Sequence, residues 1–111
     1  MVRETKGNRP RYDLEQAKAY VSSGDFAITR RITRFILDKW DDKPKEAVAE
    51  IFDAVLPSGF SKSVELEFSP GTFADVYFAE FGGETWYIKF YVADGEAIVQ
   101  MLSCNIDGYM H

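Results

Sequence analysis

Apolar side chains recur at helical spacing through the first half of the chain. Leu14, Ala17 and Val21 follow one another at steps of three and four residues, the spacing that places side chains on one face of a helix. Asp13 stands just before them, where its carboxylate can cap the first free backbone amides. We therefore predict a first helix that starts at Asp13 and ends before Gly24.

The same spacing predicts two more helices. Thr29 can cap the second helix, which stops at Asp41 and Asp42. Pro44 fits the first turn of the third, where its missing N–H leaves no hydrogen bond unmade, and Pro57 ends it. The predicted buried stripes are Ile32, Phe35, Ile36 and Trp40 in the second helix, and Val48, Ile51, Phe52 and Val55 in the third.

From Phe60 onward the apolar positions change from a helical period to a period of two, which is typical of half-buried strands. Turn residues at 69–71, 82–83 and 93–95 divide this half of the chain. The glycine pair at 82–83 favours a tight hairpin, because glycine accepts the positive φ that such turns require. The predicted strands cover residues 64–68, 75–81, 85–92 and 96–104.

Helices followed by strands favour an α+β fold. We predict about three N-terminal helices on one face of a four-stranded antiparallel sheet, in a single domain over residues 12–111 that follows a flexible polar arm at residues 1–11. The helix-covered face is expected to take Val64, Leu66, Phe68, Val76, Phe78, Trp86, Ile88 and Phe90. The opposite face is expected to show Glu65, Glu67, Asp75, Tyr77, Tyr87, Lys89 and Tyr91, whose tyrosines either stack on nucleic-acid bases or pack across the strands.

Charge is unevenly distributed along the chain. Residues 1–45 contain eleven Lys/Arg and seven Asp/Glu, a balance of +4, whereas residues 46–111 contain two Lys/Arg and eleven Asp/Glu, a balance of −9. The basic half either forms an RNA-facing surface or consists of solvated helix faces, and both interpretations stay open. The residues concerned are Arg9, Arg11, Lys18, Arg30, Arg31 and Arg34.

A single cysteine and a single histidine exclude several kinds of chemistry. An internal disulfide or a Cys-based zinc cluster needs more ligands, and no metal-binding or phosphate-cradling motif occurs, so no metal or cofactor is expected. Cys104 with His111 as its base is an alternative nucleophile. No apolar run approaches the ~20 residues of a membrane helix. No secretory signal is recognised either, and we expect a cytoplasmic protein without membrane contact.

RNA cleavage by the RNA's own 2′-hydroxyl is one reaction that requires little apparatus. The protein must accept one proton, donate one proton and stabilise charge on the phosphate. Lysine, tyrosine, arginine and histidine suffice for this without a metal. The sequence offers such groups at Lys62, Tyr77, Tyr87, Lys89 and His111.

Four short motifs follow one another along the chain: Arg11-Tyr12-Asp13-Leu14, Phe60-Ser61-Lys62-Ser63, Asp75-Val76-Tyr77 and Trp86-Tyr87-Ile88-Lys89-Phe90. Their order and spacing resemble the MqsR family of type II toxins, over roughly residues 9–103. The resemblance implies a RelE-like α+β fold, mRNA interferase activity and a cognate antitoxin as partner.

The resemblance also assigns candidate roles. Lys62 corresponds to the lysine of the family's F-Y-K-S segment, Tyr87 to the tyrosine of its Tyr-aliphatic-Lys strand, and Asp75 with Tyr77 to its D-V-Y pair. Lys62, Tyr87 and His111 are the catalytic candidates. His111 is either a general acid or base or a frayed terminal residue. The RNA-binding candidates are Arg11, Arg30, Arg31, Arg34, Tyr77, Lys89 and Asn105.

Two family positions differ in this chain. Ala74 stands where the family has glutamine, and Asn105 stands where it has lysine. Loss of a cation near the phosphate would be costly, because charge stabilisation is usually the largest catalytic contribution. We therefore expect either a toxin that cleaves mRNA as a metal-independent endoribonuclease, or a catalytically degenerate relative that acts as a protein- or RNA-binding module.

Overall fold

The computed structural model describes residues 9–40, 43–93 and 95–107, which form an α+β fold. The helices are α1 (Leu14–Ser22), α2 (Arg30–Trp40) and α3 (Pro44–Asp53), and the strands are β1 (Phe26–Ile28), β2 (Phe60–Glu65), β3 (Phe73–Phe81), β4 (Glu84–Val92) and β5 (Val99–Ile106). The predicted fold class and its three helices are confirmed. Predictions for residues 1–8, for Asp41 and Asp42, for residue 94 and for the tail with His111 lie outside the described residues.

Two of the helices begin at a capping side chain, and the third begins at a proline. The Asp13 carboxylate accepts a hydrogen bond from the Glu15 amide at 3.0 Å, and the Thr29 hydroxyl accepts one from the Ile32 amide at 3.1 Å. Pro44 is the first residue of α3. Each cap satisfies amides that have no partner within the helix, which stabilises the start of the helix at that residue.

The strands form one mixed sheet in the order β1-β5-β4-β3-β2. β1 runs parallel to β5, with Phe26 opposite Val99, and the other neighbours are antiparallel. The prediction of a four-stranded, wholly antiparallel sheet is therefore wrong, because the sheet has a fifth strand, β1, and this strand runs parallel to its neighbour. β1 has only three residues, too few to show a period of two, and its partner lies far away along the chain.

Several strand boundaries differ from the prediction: β2 starts at Phe60, β3 at Phe73 and β4 at Glu84, and β5 runs on to Ile106. β2 ends at Glu65, because residues 66–72 form a tight connection in which the Leu66 amide bonds to the Thr72 carbonyl at 2.9 Å. β5 starts at Val99. The Glu96 amide bonds back to the Ala93 carbonyl at 3.1 Å and so belongs to the preceding turn.

All three helices contribute buried side chains to one core on a single face of the sheet. Trp86 is fully buried there and contacts Phe35 and Trp40 of α2, with ring centroids 5.8 and 5.6 Å away. Phe52 of α3 meets Phe90 edge-on at 5.1 Å. The prediction for β4 is confirmed, since Trp86, Ile88 and Phe90 all face the helices.

The faces of β3 are the reverse of the prediction. Tyr77 pairs with Ile88, and Asp75 pairs with Phe90, so these two side chains point toward the helices, while Val76 and Phe78 point away. Strict alternation shows which residues of a strand share a face, but not which face meets the core. Both faces of β3 carry aromatic side chains, and hydrophobicity alone therefore does not distinguish them.

Within the described residues, no helix has the length and apolar character that a membrane span requires.

Candidate functional site

The sheet face away from the helices, here called the open face, brings two lysines into one row. Lys62 pairs with Val76, Val76 pairs with Lys89, and Lys89 pairs with Ser103. Residues paired across neighbouring strands point to the same face. We call these four residues the lysine row.

A β-bulge turns Lys62 toward the open face. Phe60 pairs with Tyr77 on the covered face, but Lys62 pairs with Val76, the very next residue of β3, so Ser61 is an extra residue. Without it, Lys62 would share the covered face with Phe60. β-bulges commonly re-aim side chains in this way beside active sites. The predicted face of this strand is wrong for the same reason, because Lys62 and Val64 face away from the helices.

The two ammonium groups of the lysine row can approach the same anion. Lys62 and Lys89 lie two strands apart, about 10 Å between their Cα atoms, within the reach of two long flexible side chains. Val76 lies between them and is fully buried. Val76 thus forms an apolar floor between the lysines, and both ammonium groups are accessible to an anion because Lys62 is exposed and Lys89 is half-buried.

The charge pattern makes this row distinctive. Lys62 and Lys89 are the only two cationic side chains in residues 46–111, which otherwise carry eleven carboxylates. The register nevertheless places both on one face and in one row. A chain of net charge −5 thus has a local cationic patch. Glu80 shares this face near the β3–β4 hairpin, where its carboxylate accepts a hydrogen bond from Thr85 at 2.7 Å.

Tyr87 lies in the neighbouring row of the open face, between Phe78 and Asn105. Its ring contacts the Phe78 ring at a centroid distance of 5.6 Å and an interplanar angle of 60°. Burial raises the pKa of the Tyr87 phenol above its ordinary value. The phenol therefore keeps its proton near neutral pH and can donate a hydrogen bond.

Neutral groups occupy the β5 positions of both rows. Asn105, opposite Tyr87, donates from its side-chain amide to the Ile106 carbonyl at 3.2 Å. Ser103 ends the lysine row. Ala74 faces the same side, paired with Val64, and is fully buried. These positions can supply hydrogen bonds or packing, but no charge.

The structure places Tyr77 in the core, away from the open face. Its ring is 1% exposed and contacts Phe60 and Phe90, with centroids 5.4 and 6.1 Å away. Burial, together with the carboxylates of Asp75 and Asp13, raises the pKa of Tyr77 to about 12. The ring has no surface for an RNA base, which removes the expected RNA contact at this residue.

Asp75 also has a structural role. The carboxylate is fully buried and accepts hydrogen bonds from the amides of Arg11 and Tyr12 at 2.9 to 3.0 Å and from the Ser63 hydroxyl at 2.8 Å. It thereby ties the segment before α1 to the sheet. The Tyr12 hydroxyl adds a bond to the Phe73 carbonyl at 2.6 Å.

The predicted arginines do not join the lysine row. Arg30, Arg31 and Arg34 are exposed on α2, whose buried side chains Ile32 and Ile36 face the sheet from the helix side. The Arg11 guanidinium lies 3.6 Å from the centre of the Phe73 ring, on the covered face. His111 lies outside the described residues, so its relation to Lys62 and Tyr87 stays a prediction.

The Cys104 thiol does not fit a nucleophile. Its side chain is 1% exposed, and burial raises the pKa of the thiol to about 12. A reactive cysteine needs a lowered pKa and access to solvent. Among the residues that the structure describes, no three His, Cys, Asp or Glu side chains are grouped to hold a metal ion.

Sequence reasoning missed two residues that the structure brings to this site. Phe78 was expected on the covered face but lies beside Tyr87 on the open face. Ser63 ended the motif at residues 60–63 but had no role assigned to it, and its buried hydroxyl meets Asp75. Its place in that motif, directly after Lys62, was the one available signal.

No family model matches the chain, and no curated protein sequence matches it.

Proposed function

We propose that this protein is a toxin-like endoribonuclease that cleaves single-stranded mRNA on the open face. The observation that supports it is the lysine row, which gathers the two cations of residues 46–111 beside Tyr87. An acidic chain has no general attraction for RNA. A local pair of lysines over a buried apolar floor supplies that attraction at one place.

The proposed reaction is attack of the ribose 2′-hydroxyl on the adjacent phosphorus. A P–O2′ bond forms and the P–O5′ bond breaks, leaving a 2′,3′-cyclic phosphate and a 5′-hydroxyl. Lys62 and Lys89 stabilise the charge that develops on the phosphate oxygens. Tyr87 donates the proton that the departing 5′-oxygen requires. His111 is the candidate acceptor of the 2′-proton and lies outside the described residues.

The motif resemblance to the MqsR family supports the same assignment. Lys62, Tyr87 and Lys89 all match family motifs, and all three side chains lie on the open face. The α+β fold class agrees with the resemblance, although the sheet has a fifth strand, β1, that runs parallel to β5. A cognate antitoxin and a cytoplasmic location belong to this proposal too.

A second candidate function is binding without cleavage. Ala74, a buried methyl group on the open face, replaces the family's glutamine, and Asn105 replaces a lysine. A face that has lost an amide and a cation can still hold an RNA strand or a partner protein. It would stabilise the transition state less than the family's own site.

Induced expression in a bacterial host distinguishes the two functions. The toxin proposal expects growth arrest and loss of mRNA, with new RNA ends that carry a 5′-hydroxyl. Lys62→Gln and Tyr87→Phe should restore growth while the protein stays soluble and folded. Lys45→Gln is the matched control, because this exposed lysine lies in α3 with its ammonium 4.4 Å from the centre of the Phe26 ring. Normal growth and intact mRNA with folded wild-type protein would favour the binding module.

A further inference from the structure

β2 is an edge strand, so its register depends on a single neighbour. Among the described residues β2 pairs with β3 alone, and the pairing shifts by one residue at Ser61. Because side chains alternate between faces, a slip of one residue after the bulge would move Lys62 from the open face to the covered face. The position of Lys62 therefore depends on whatever fixes β2 against β3 beyond the bulge.

Ser63 makes the contact that can fix it. The Ser63 side chain is buried, and its hydroxyl donates to Asp75 at 2.8 Å, with the Ala74 carbonyl 3.4 Å away. The backbone amides of Arg11 and Tyr12 also donate to this carboxylate. Asp75 is thus held by two backbone amides besides the serine, and hydrogen bonds to a carboxylate are about twice as strong as those between neutral groups.

The geometry of a strand couples this hydrogen bond to the lysine. Ser63 follows Lys62 directly, so the two side chains point to opposite faces. A serine held on the covered face keeps its neighbour on the open face. A slipped register would take the hydroxyl away from Asp75 and leave the buried carboxylate short of a donor, which is strongly unfavourable.

We propose that Ser63 and Asp75 are positioning residues for Lys62. Their buried hydrogen bond selects the register of β2 that places Lys62 in the lysine row. The RNA readout of this inference rests on the proposed function, but the register of β2 can be measured without RNA. Asp75 thereby connects the segment before α1, through its amides, to the placement of a candidate catalytic lysine.

The register is tested by NMR on the full chain, with Ser63→Ala beside Ser69→Ala. Ser69 is a matched control, since its hydroxyl also makes a side-chain hydrogen bond, 2.9 Å from Thr72, without touching Asp75. Wild type and Ser69→Ala should show cross-strand contacts between Lys62 and Val76. Ser63→Ala should lose these contacts or show a second set of signals, and its β2 amides should exchange at least tenfold faster. Ser63→Thr, which keeps the hydroxyl, should retain the wild-type contacts.

A double-mutant cycle on RNA affinity tests the consequence for the site. The probe is a single-stranded 2′-O-methyl RNA, which cannot be cleaved by its own 2′-hydroxyl. Ser63→Ala should weaken binding to within twofold of Lys62→Gln, and should add less than twofold in the Lys62→Gln background. The inference would be overturned if Ser63→Ala kept the Lys62–Val76 contacts and the full RNA affinity. It would also be overturned if the losses of affinity of the two single variants multiplied in the double variant.

Failure of the inference and failure of the proposed function give different results. If Lys62→Gln binds the RNA as well as wild type, the RNA site is wrong, and the NMR contacts still decide the register. If Ser63→Ala does not fold, Ser63→Cys offers a similar shape with a weaker donor. Loss of Lys62–Val76 contacts in that variant would support the inference, and wild-type contacts would count against it.

Discussion

At the scale of single residues, Asp75 illustrates how a motif can be structural. The sequence places Asp75 and Tyr77 in a family pair and suggests a role in the site. The structure instead buries both on the covered face, where Asp75 collects donors from two distant parts of the chain. A short motif indicates that particular residue types are required at those positions. The requirement can come from a buried hydrogen-bond network as well as from catalysis.

Asp75→Ala should destabilise the protein by about 2–4 kcal/mol, because buried amides and a hydroxyl lose their acceptor. The measurement is the free energy of unfolding from urea titration. Glu80→Gln serves as the control, since Glu80 is an exposed carboxylate that accepts from Thr85, and it should change stability by less than about 0.5 kcal/mol. An Asp75→Ala protein as stable as the control would show that the network contributes little.

Alkaline pH should destabilise the fold through Tyr77 and Cys104. Burial raises the pKa of each in the folded state to about 12, from ordinary values of 10.0 and 9.0. The unfolded chain releases these protons first, so stability is fully present below pH 9 and falls as pH rises toward 12. Urea titrations at pH 8, 10 and 11 measure the loss. Tyr77→Phe should make the free energy of unfolding fall less steeply between pH 10 and 11. A slope equal to that of wild type would show that Tyr77 does not cause the loss of stability.

At the scale of elements, the start of β2 depends on a close approach between two backbones. A 3-10 turn at Pro57–Gly59 leads into β2, and a Cβ atom at Gly59 would overlap the carbonyl oxygen of Phe78. This close approach lies directly before the first residue of β2 and two residues before the bulge at Ser61. The site therefore depends on backbone packing as well as on side chains.

Gly59→Ala should cost about 1–3 kcal/mol in the free energy of unfolding, because a backbone carbonyl cannot move aside as a flexible side chain can. Ser58→Ala is the control at the neighbouring exposed residue and should have little effect. Thermal and urea unfolding of the two variants provide the comparison. Equal free energies of unfolding for Gly59→Ala and Ser58→Ala would show that the turn accommodates the added methyl group without loss of stability.

The elements differ in how much the sequence reveals about them. Helices were predictable because Asp13, Thr29 and Pro44 mark their starts and the apolar stripes repeat several times. The faces of β4 were predictable because Trp86, Ile88 and Phe90 alternate with polar residues. β1 was not predictable, because three residues show no period and their parallel partner lies in β5.

The candidate site was predictable only in part. The motifs named Lys62, Tyr87, Lys89 and Asn105, and the register places all four on the open face. Alternation predicts Val64 on the covered face, and Lys62 with it if the strand is extended by two residues, because a β-bulge cannot be recognised from the pattern of hydrophobic positions. Nothing in the local sequence separates Tyr77 from Phe78, because either aromatic ring suits a core.

At the scale of the whole molecule, RNA should bind at the lysine row although the net charge of the protein is unfavourable for RNA binding. The chain carries a net charge of −5, while the lysine row carries two positive charges. RNA affinity should then fall with rising salt, with a slope that reflects a few lysine–phosphate contacts rather than a broad basic surface.

Each lysine of the row should contribute about 0.7 to the slope of log affinity against log salt for single-stranded RNA. Lys62→Gln and Lys89→Gln should each reduce the slope by that amount, and Lys45→Gln should leave it unchanged. Titrations of a 2′-O-methyl RNA at several salt concentrations provide the measurement. Equal slopes for all variants would place the RNA elsewhere on the molecule.

The most direct test of the central claim is cleavage of single-stranded RNA by the purified protein in a metal chelator. We expect wild type to release products with a 2′,3′-cyclic phosphate and a 5′-hydroxyl. Lys62→Gln should slow cleavage by about 100-fold, and Lys45→Gln should cleave within twofold of wild type. Folded wild-type protein that leaves the RNA intact, or equal cleavage by Lys62→Gln, would contradict the assignment of the open face as a ribonuclease site.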